Sequence, residues 1–322
     1  MVPTWKETKN MRMNRREFIG AAFAGGMLGM LGGCSVLKGG AGGRLATSDP
    51  FQMVPLGKTG LKVSLVGMGT GMRGWMRESD LTRQGRDKAL SVIRHAFERG
   101  VRFFDCADTY GSHPYVAEAL HGIPRDKYFL SSKIWFLGGG IPETEKLDAD
   151  RMVARFLKEL KTDHLDLVLI HCQTEADWPE KMKRQMDIMA GLKQKGMIRA
   201  HGVSVHSLEA LKACVDCAWV DSVHVRINAY GQAMDNSDPA VVAEVVKKLR
   251  SAGKGLVGMK LIGEGRFRDA PEKIDKSIQY ALGLVDTMIV GFVGSNEIDD
   301  FAARVGQALK ARASGAPMGA AA

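Results

Sequence analysis

The feature that most constrains this chain is an alternation, repeated eight times, of short β-rich runs with longer segments of helical period. The runs are "VSLVGMG" from residue 63, "VRFFDCA" from 101, "YFLSSKI" from 128 and "LDLVLIH" from 165, followed by "IRAHGVSV" from 198, "SVHVRIN" from 222, "GLVGMKL" from 255 and "TMIVGFV" from 287. Helices are predicted over 81–99, 114–121, 150–161, 179–195, 207–217, 238–252, 271–281 and 296–310. The third shows the pattern: Met152, Phe156 and Leu160 recur at four-residue spacing while Arg155, Lys158 and Glu159 face elsewhere. Eight βα units in about 250 residues specify a (β/α)8 TIM barrel, of the α/β class, more economically than an open doubly wound sheet. Ahead of them, "MVPLGKTGLKVS" reads as a short N-terminal β-hairpin turning through Gly57 to Gly60, its strands expected to plug the bottom of the barrel.

The chain has 322 residues, 45% of them apolar and 25% charged, which is ordinary globular usage and enough for one large core. Residues 51–310 are read as the barrel, 35–50 as a flexible Gly-rich tether, and "ARASGAPMGAAA", residues 311–322, as a disordered tail. Of the net charge of +9, three belong to residues 1–34, and the rest is spread without an Arg/Lys block, which argues against a nucleic-acid partner. Cys214 and Cys217 form a lone CxxC with no second pair and no nearby histidine set. Two cysteines packed on a helix face fit that better than zinc, and no metal site is predicted. Gly69, Gly71 and Gly74 satisfy GxGxxG after a strand, but no apolar-periodic helix follows and no acidic residue ends a second strand about 20 residues on, so a dinucleotide fingerprint is rejected.

Active sites of such barrels sit at the C-terminal ends of the strands. There the second run places Asp105, with Tyr110 on its loop; the third places Lys133; the fourth ends in His171. A tyrosine acts as general acid toward a carbonyl when its pKa, about 10 unperturbed, is brought toward neutrality. A neighbouring ammonium favours the phenolate, and a buried aspartate keeps that ammonium charged. A histidine can donate to the substrate oxygen. Singly, each has an ordinary structural reading: an ion pair, a loop cap, a satisfied core polar. Together, four complementary groups at three successive strand ends point to acid-base chemistry.

"PLGKTGLKVSLVGMGTG", "FFDCADTYG", "SSKI", "LDLVLIHC" and "GVSVHS" together resemble the aldo-keto reductase family, from about Met53 to Ala308. The resemblance implies a metal-free barrel that transfers hydride between NADP or NAD and a small carbonyl or alcohol, with Asp105, Tyr110, Lys133 and His171 as its tetrad and Tyr110 as acid and base. It implies cofactor contacts from Thr70, from Ser204 with His206 in place of an asparagine, and from His224 in place of a glutamine, with Asn228 near it. Met259 stands where a tyrosine stacks on the nicotinamide, Lys260 is assigned to the pyrophosphate, and Gly291 and Glu297 fall at the eighth strand and its loop. An arginine for the adenosine 2′-phosphate is missing there and Glu297 would repel that group, so NAD versus NADP stays open. Trp75, Trp135, Phe136 and Trp178 are candidate walls of an apolar substrate pocket or ordinary loop packing.

At the N-terminus, "NRREFIG" resembles a twin-arginine export signal, with Arg15 and Arg16 as the pair, and "LGGC" resembles a lipoprotein lipobox ending in Cys34. The expectation is a signal peptide over 1–34, recognition by the twin-arginine export machinery, and a mature chain held to a membrane, on its periplasmic or cell-envelope side, through a lipid on Cys34. A cytoplasmic enzyme with an uncleaved N-terminus is the alternative. For activity, the alternative to a reductase is a nicotinamide-binding barrel acting as a sensor or docking subunit with little turnover.

Overall fold

The computed structural model describes residues 47–314. Residues 1–46 and 315–322 lie outside them, and with them the signal-like segment, Cys34, most of the tether and the end of the tail.

Strands β3 (Val66–Gly69), β4 (Phe103–Asp105), β5 (Phe129–Ile134), β6 (Leu165–Gln173), β7 (Ile198–Val205), β8 (Ser222–Arg226), β9 (Gly255–Met259) and β10 (Thr287–Gly291) close into one parallel barrel in chain order, β10 pairing with β3. The runs are apolar without clean alternation because both faces are covered; in β6 every residue but Cys172 is buried. Helices α1 (Arg86–Arg99), α2 (His113–Ala119), α3 (Ala149–Leu160), α4 (Trp178–Lys181), α5 (Lys183–Gln194), α6 (Leu208–Ala213), α7 (Pro239–Ser251), α8 (Pro271–Leu284) and α9 (Ser295–Ala313) fall between and after the strands. On α3, Met152, Val153, Phe156 and Leu160 are buried, the face expected from their spacing.

The hairpin forms from β1 (Met53–Pro55) and β2 (Lys62–Ser64), paired antiparallel. Its turn seats on the N-terminal end of the barrel, where Lys58 N donates to Gly253 O at 2.9 Å and Gly57 N to Asp286 Oδ2 at 3.0 Å. Gly57 has φ of +50°, and a Cβ there would lie 2.4 Å from Gly255 N, so only glycine allows the approach.

Several boundaries differ from the sequence pattern. The single run at 63–69 is two strands, because the chain changes partners at Leu65: its N–H donates to Gln52 O while its carbonyl accepts from Met288 N. Gly85, with φ of +87°, cuts the 81–99 helix into a 3-10 turn and α1. The 179–195 helix divides at Met182, and the 207–217 helix stops at Ala213. Residues 311–313, read as tail, continue α9.

Candidate active site

Register builds the site. Gly69 pairs with Asp105 and Asp105 with Ser131, so the ends of β3, β4 and β5 lie level at the mouth. Lys133 stands two residues beyond Ser131 on the same side of β5. Its Nζ donates to Asp105 Oδ2 at 2.5 Å and to Cys106 O at 2.9 Å, while Ser131 Oγ donates to Asp105 Oδ1 at 2.6 Å. His224 reaches the same Oδ1 through Nε2 at 3.2 Å. Thr70 holds the Asp105 backbone, its N–H and hydroxyl both donating to Asp105 O. Asp105 and Lys133 are buried, with 2% and 1% of their surface exposed.

Burial alone would raise the Asp105 carboxyl, but Lys133 and then His224 outweigh it and hold it well below the ordinary carboxylate range. Burial would discharge Lys133, and Asp105 and Tyr110 reverse that, keeping the ammonium. The pair is therefore charged, as a buried pair with complementary hydrogen bonds can be.

Tyr110 closes a 3-10 turn, Asp108–Tyr110, with Lys133 Nζ 4.9 Å from its ring centroid. The ring of His171, at the end of β6, meets it edge-on at 5.7 Å. The structure thus brings all four tetrad candidates together. The expected shift of Tyr110 toward neutrality is not seen: burial pushes its hydroxyl up, Lys133 only partly opposes this, and the phenol keeps its proton, the form in which it can act as a donor. His171 is pushed far below its ordinary value by burial and by Lys133, leaving a neutral ring.

The rejected glycine fingerprint has a different use. A Cβ on Gly71 would lie 2.1 Å from Tyr110 Cε2, and one on Gly74 2.3 Å from Cδ1, so these glycines form the seat of the tyrosine ring. Behind the turn, buried Asp108 accepts from Arg155 Nη2 at 2.7 Å; Arg155 holds Glu159, which meets His113, and His113 meets Ser132 on β5. Of the four candidate pocket walls, Trp75 is 49% exposed and packs edge-on against Trp135, which in turn meets His171 at 5.2 Å. Phe136, next in the chain after Trp135, is half-buried. Trp178 is fully buried with Nε1 donating to Ala210 O, so it is core packing and not a wall. A groove of about 310 Å³ lined by His121, Arg125, Tyr128 and Lys161 lies at the opposite end of the barrel and includes none of the tetrad.

The cofactor candidates on β7 to β10 are placed at the same rim but are bonded inward. Ser204 Oγ accepts from Cys172 N at 2.8 Å, at the bulge where β6 ends and Cys172 takes φ of +60°. His206 Nδ1 lies 3.1 Å from Cys172 Sγ. Asn228 is buried; its Oδ1 accepts from Tyr230 N and Gln232 N, and its Nδ2 donates to Gln232 O and Lys260 O, so its hydrogen-bonding capacity is used within the loop. Met259 ends β9 buried, Lys260 pairs with Glu264 at 2.9 Å, and Met72 lies over Gly291. Glu297 Oε2 accepts from Val293 N at 2.7 Å, at the start of α9. Two cations nevertheless act on this rim: burial, then Arg226 and Lys260, push His206 down to about 3.

Sequence reasoning missed Ser131, although its two-residue spacing from Lys133 is the signal that puts both on one face. It also missed the ion pair of Arg226 with buried Asp235 at 2.6 Å, which spans a loop and leaves no periodic trace.

An eight-stranded parallel barrel thus carries a buried Asp–Lys pair, a tyrosine and a histidine together at its C-terminal rim, the end where barrels of this architecture place their active sites. The sequence pattern of the aldo/keto reductase family matches residues 65–282, and the chain belongs to that family. It is 26% identical over 142 residues to the methylglyoxal reductase DkgB of Salmonella typhimurium, covering 42% of this chain and 50% of that protein. It is 25% identical over 223 residues to the L-galactose dehydrogenase of Arabidopsis thaliana, covering 67% and 66%. The chain thus spans between half and two-thirds of the length of these relatives. In fold it is similar to an aldo-keto reductase from Bacillus halodurans, with a TM-score of 0.63, 20% identity and coverage of 81% and 95%. An aldo/keto reductase from Klebsiella pneumoniae, solved with NADP and acetate, gives a TM-score of 0.58 at 18% identity, covering 78% and 89%.

Proposed function

We propose that this chain is an NAD(P)(H)-dependent oxidoreductase that interconverts an aldehyde or ketone and the corresponding alcohol, with Tyr110 as proton donor and acceptor. The observation that carries the reading is the charged Asp105–Lys133 pair buried beneath a protonated Tyr110. When bound, the nicotinamide supplies or accepts the hydride. Tyr110 gives its hydroxyl proton to the carbonyl oxygen, and Lys133, 4.9 Å from the ring centroid, stabilises the phenolate left behind. Neutral His171, with Trp135 packed edge-on against its ring, orients the same oxygen. Lys260 and Arg226 provide positive charge for the phosphates. The names of the relatives, a methylglyoxal reductase and an L-galactose dehydrogenase, and the NADP in the Klebsiella structure support this class of substrate and cofactor. The test is oxidation of NADPH and of NADH by the purified protein across a series of small aldehydes and ketones. No turnover with either nucleotide would reject the reading.

The inward-bonded Ser204, Asn228 and Glu297 favour a second reading, a nicotinamide-binding sensor with little turnover. Binding of nucleotide without turnover would select it.

The same proposal places the enzyme outside the cytoplasm, exported by the twin-arginine route and tethered through a lipid on Cys34; "NRREFIG" and "LGGC" support it. The cofactor then leaves with the folded protein and is recycled in place. Incorporation of labelled lipid that disappears in Cys34→Ala is the expected result, and no incorporation into the wild type would favour a cytoplasmic enzyme.

A further inference from the structure

We propose that His224 is a positioning residue of the acid-base site, its Nε2–H fixing the Asp105 carboxylate and, through it, Lys133 and Tyr110, rather than a residue that touches the nucleotide. The proposal rests on the oxidoreductase reading above.

His224 is fully buried on β8, between Ser204 of β7 and Val257 of β9, and stands edge-on to Phe103 at 6.4 Å. Its Nε2 lies 3.2 Å from Asp105 Oδ1, and its Nδ1 has no hydrogen-bond partner among the described residues. An ionised carboxylate only accepts, so Nε2 must carry the proton. The charged groups that act on the ring are Asp105 and Lys133; the flanking Ser204 and Val257 bring none. Burial lowers the His224 pKa, Asp105 opposes this and Lys133 reinforces it, and the net result is a neutral imidazole.

Neutrality is what makes the arrangement useful. Asp105 Oδ1 then accepts two uncharged donors, Ser131 and His224, while Oδ2 is left to the one cation, Lys133. A second cation at Oδ1 would compete for the carboxylate and weaken its hold on Lys133. The ring thus locks the carboxylate plane without altering the charge balance beneath Tyr110.

The test compares His224→Leu, which removes the donor, with His224→Gln, whose amide nitrogen reaches about as far as Nε2. In the full chain, with NADPH and a small aldehyde, the leucine variant should lose roughly 10- to 100-fold in kcat, the worth of a hydrogen bond to a buried charge. Its pH profile of kcat should move, nucleotide Kd measured by fluorescence should not, and glutamine should recover most of the loss. Weakening of nucleotide binding by the same factor as kcat, or a leucine variant with wild-type kcat and pH profile, would overturn the proposal. If the leucine variant does not fold, nitrogen NMR of the histidine-labelled wild type decides. A neutral ring protonated at Nε2 supports the proposal, and a ring protonated at Nδ1 or at both nitrogens overturns it. A wild type that neither binds nor oxidises NADPH or NADH rejects the oxidoreductase reading instead, and the NMR result still decides the geometry of His224.

Discussion

At the barrel mouth the polar side chains of β4, β5 and β6, joined by His224 from β8, are bonded to or packed against one another, whereas the rest of the arc from β7 to α9 is bonded to backbone or to carboxylates of its own loops, as Arg226 is to Asp235 and Lys260 to Glu264. Asp105 gathers Lys133, Ser131 and His224, and Tyr110 and His171 pack on that cluster. On the other side Ser204 takes the Cys172 N–H, Asn228 organises its own loop, Arg226 donates to His206 O and Glu297 takes the Val293 N–H. A cluster of side chains demands particular residue types, because each buried charge must meet a specific partner. A backbone group is satisfied by many side chains. The two arcs of one rim are therefore constrained differently, the first by chemistry and the second by loop shape.

Removing one atom from the first arc gives the largest expected effect. Tyr110→Phe keeps the ring in the seat formed by Gly71 and Gly74 and deletes the proton, so kcat should fall about 10²- to 10⁴-fold while the melting temperature stays near wild type. Steady-state rates and a thermal melt on the same preparation check both; unchanged turnover would remove Tyr110 from the chemistry. In the second arc the expected loss is of another kind. Asn228→Ala strands buried backbone groups of the Tyr230–Gln232 and Lys260 loops and should cost roughly 1–3 kcal/mol of stability in urea unfolding. If stability held and only nucleotide affinity fell, Asn228 would be a direct cofactor contact and the contrast between the arcs would weaken.

The same contrast explains what could be read from the sequence. The barrel was legible because eight buried strands and their helices leave a period that no other closed architecture matches at this length, and the tetrad was legible because ionisable residues stand out in apolar strand ends. Partner changes left no trace: Leu65 splits one apolar run into two strands through backbone bonds alone. His224 could be given a place but not a partner, since its bond to Asp105 spans 119 residues across the barrel. Gly71 and Gly74 carried a spacing that suggested phosphate, while their use is contact with an aromatic ring, which spacing does not encode.

Acid should separate the arcs by sign. Behind Tyr110, Glu159 is held down to about 2: burial works to raise it, but His113 and Arg155 prevail. Its folded pKa lies below the unfolded one, so its contribution to stability is complete above about pH 4.5 and is lost as pH falls toward 2. In the second arc, burial pushes Asp235 up to about 6 despite Arg226. Between about pH 4 and 6 the folded chain keeps a proton that the unfolded chain has released, so this group's contribution rises as pH falls through that window. Melting curves from pH 7 to 3 should show Asp235→Asn losing the gain between 6 and 4, and Glu159→Gln losing part of the decline below 4.5. Parallel curves for wild type and both variants would show that neither carboxyl titrates as placed.

The smallest effect is expected at Glu297, where one carboxylate serves two ends. It sits in the first turn of α9 and accepts from Val293 N, so it complements the helix dipole and satisfies a free N–H. Glu297→Gln keeps an acceptor and removes the charge, which should cost about 0.3–1 kcal/mol of stability. If the adenosine end of the cofactor passes this helix, the same loss of charge relieves repulsion of a 2′-phosphate and not of a 2′-hydroxyl. The ratio of NADPH to NADH affinity should then shift toward NADPH by about two- to fivefold, the ~0.4–1 kcal/mol of an exposed charge–charge interaction expressed as binding. A stability change with an unmoved ratio would confine Glu297 to its backbone bond, and the second arc would then leave cofactor choice to Lys260 and Arg226, whose carboxylate partners Glu264 and Asp235 set how much of their charge faces the mouth.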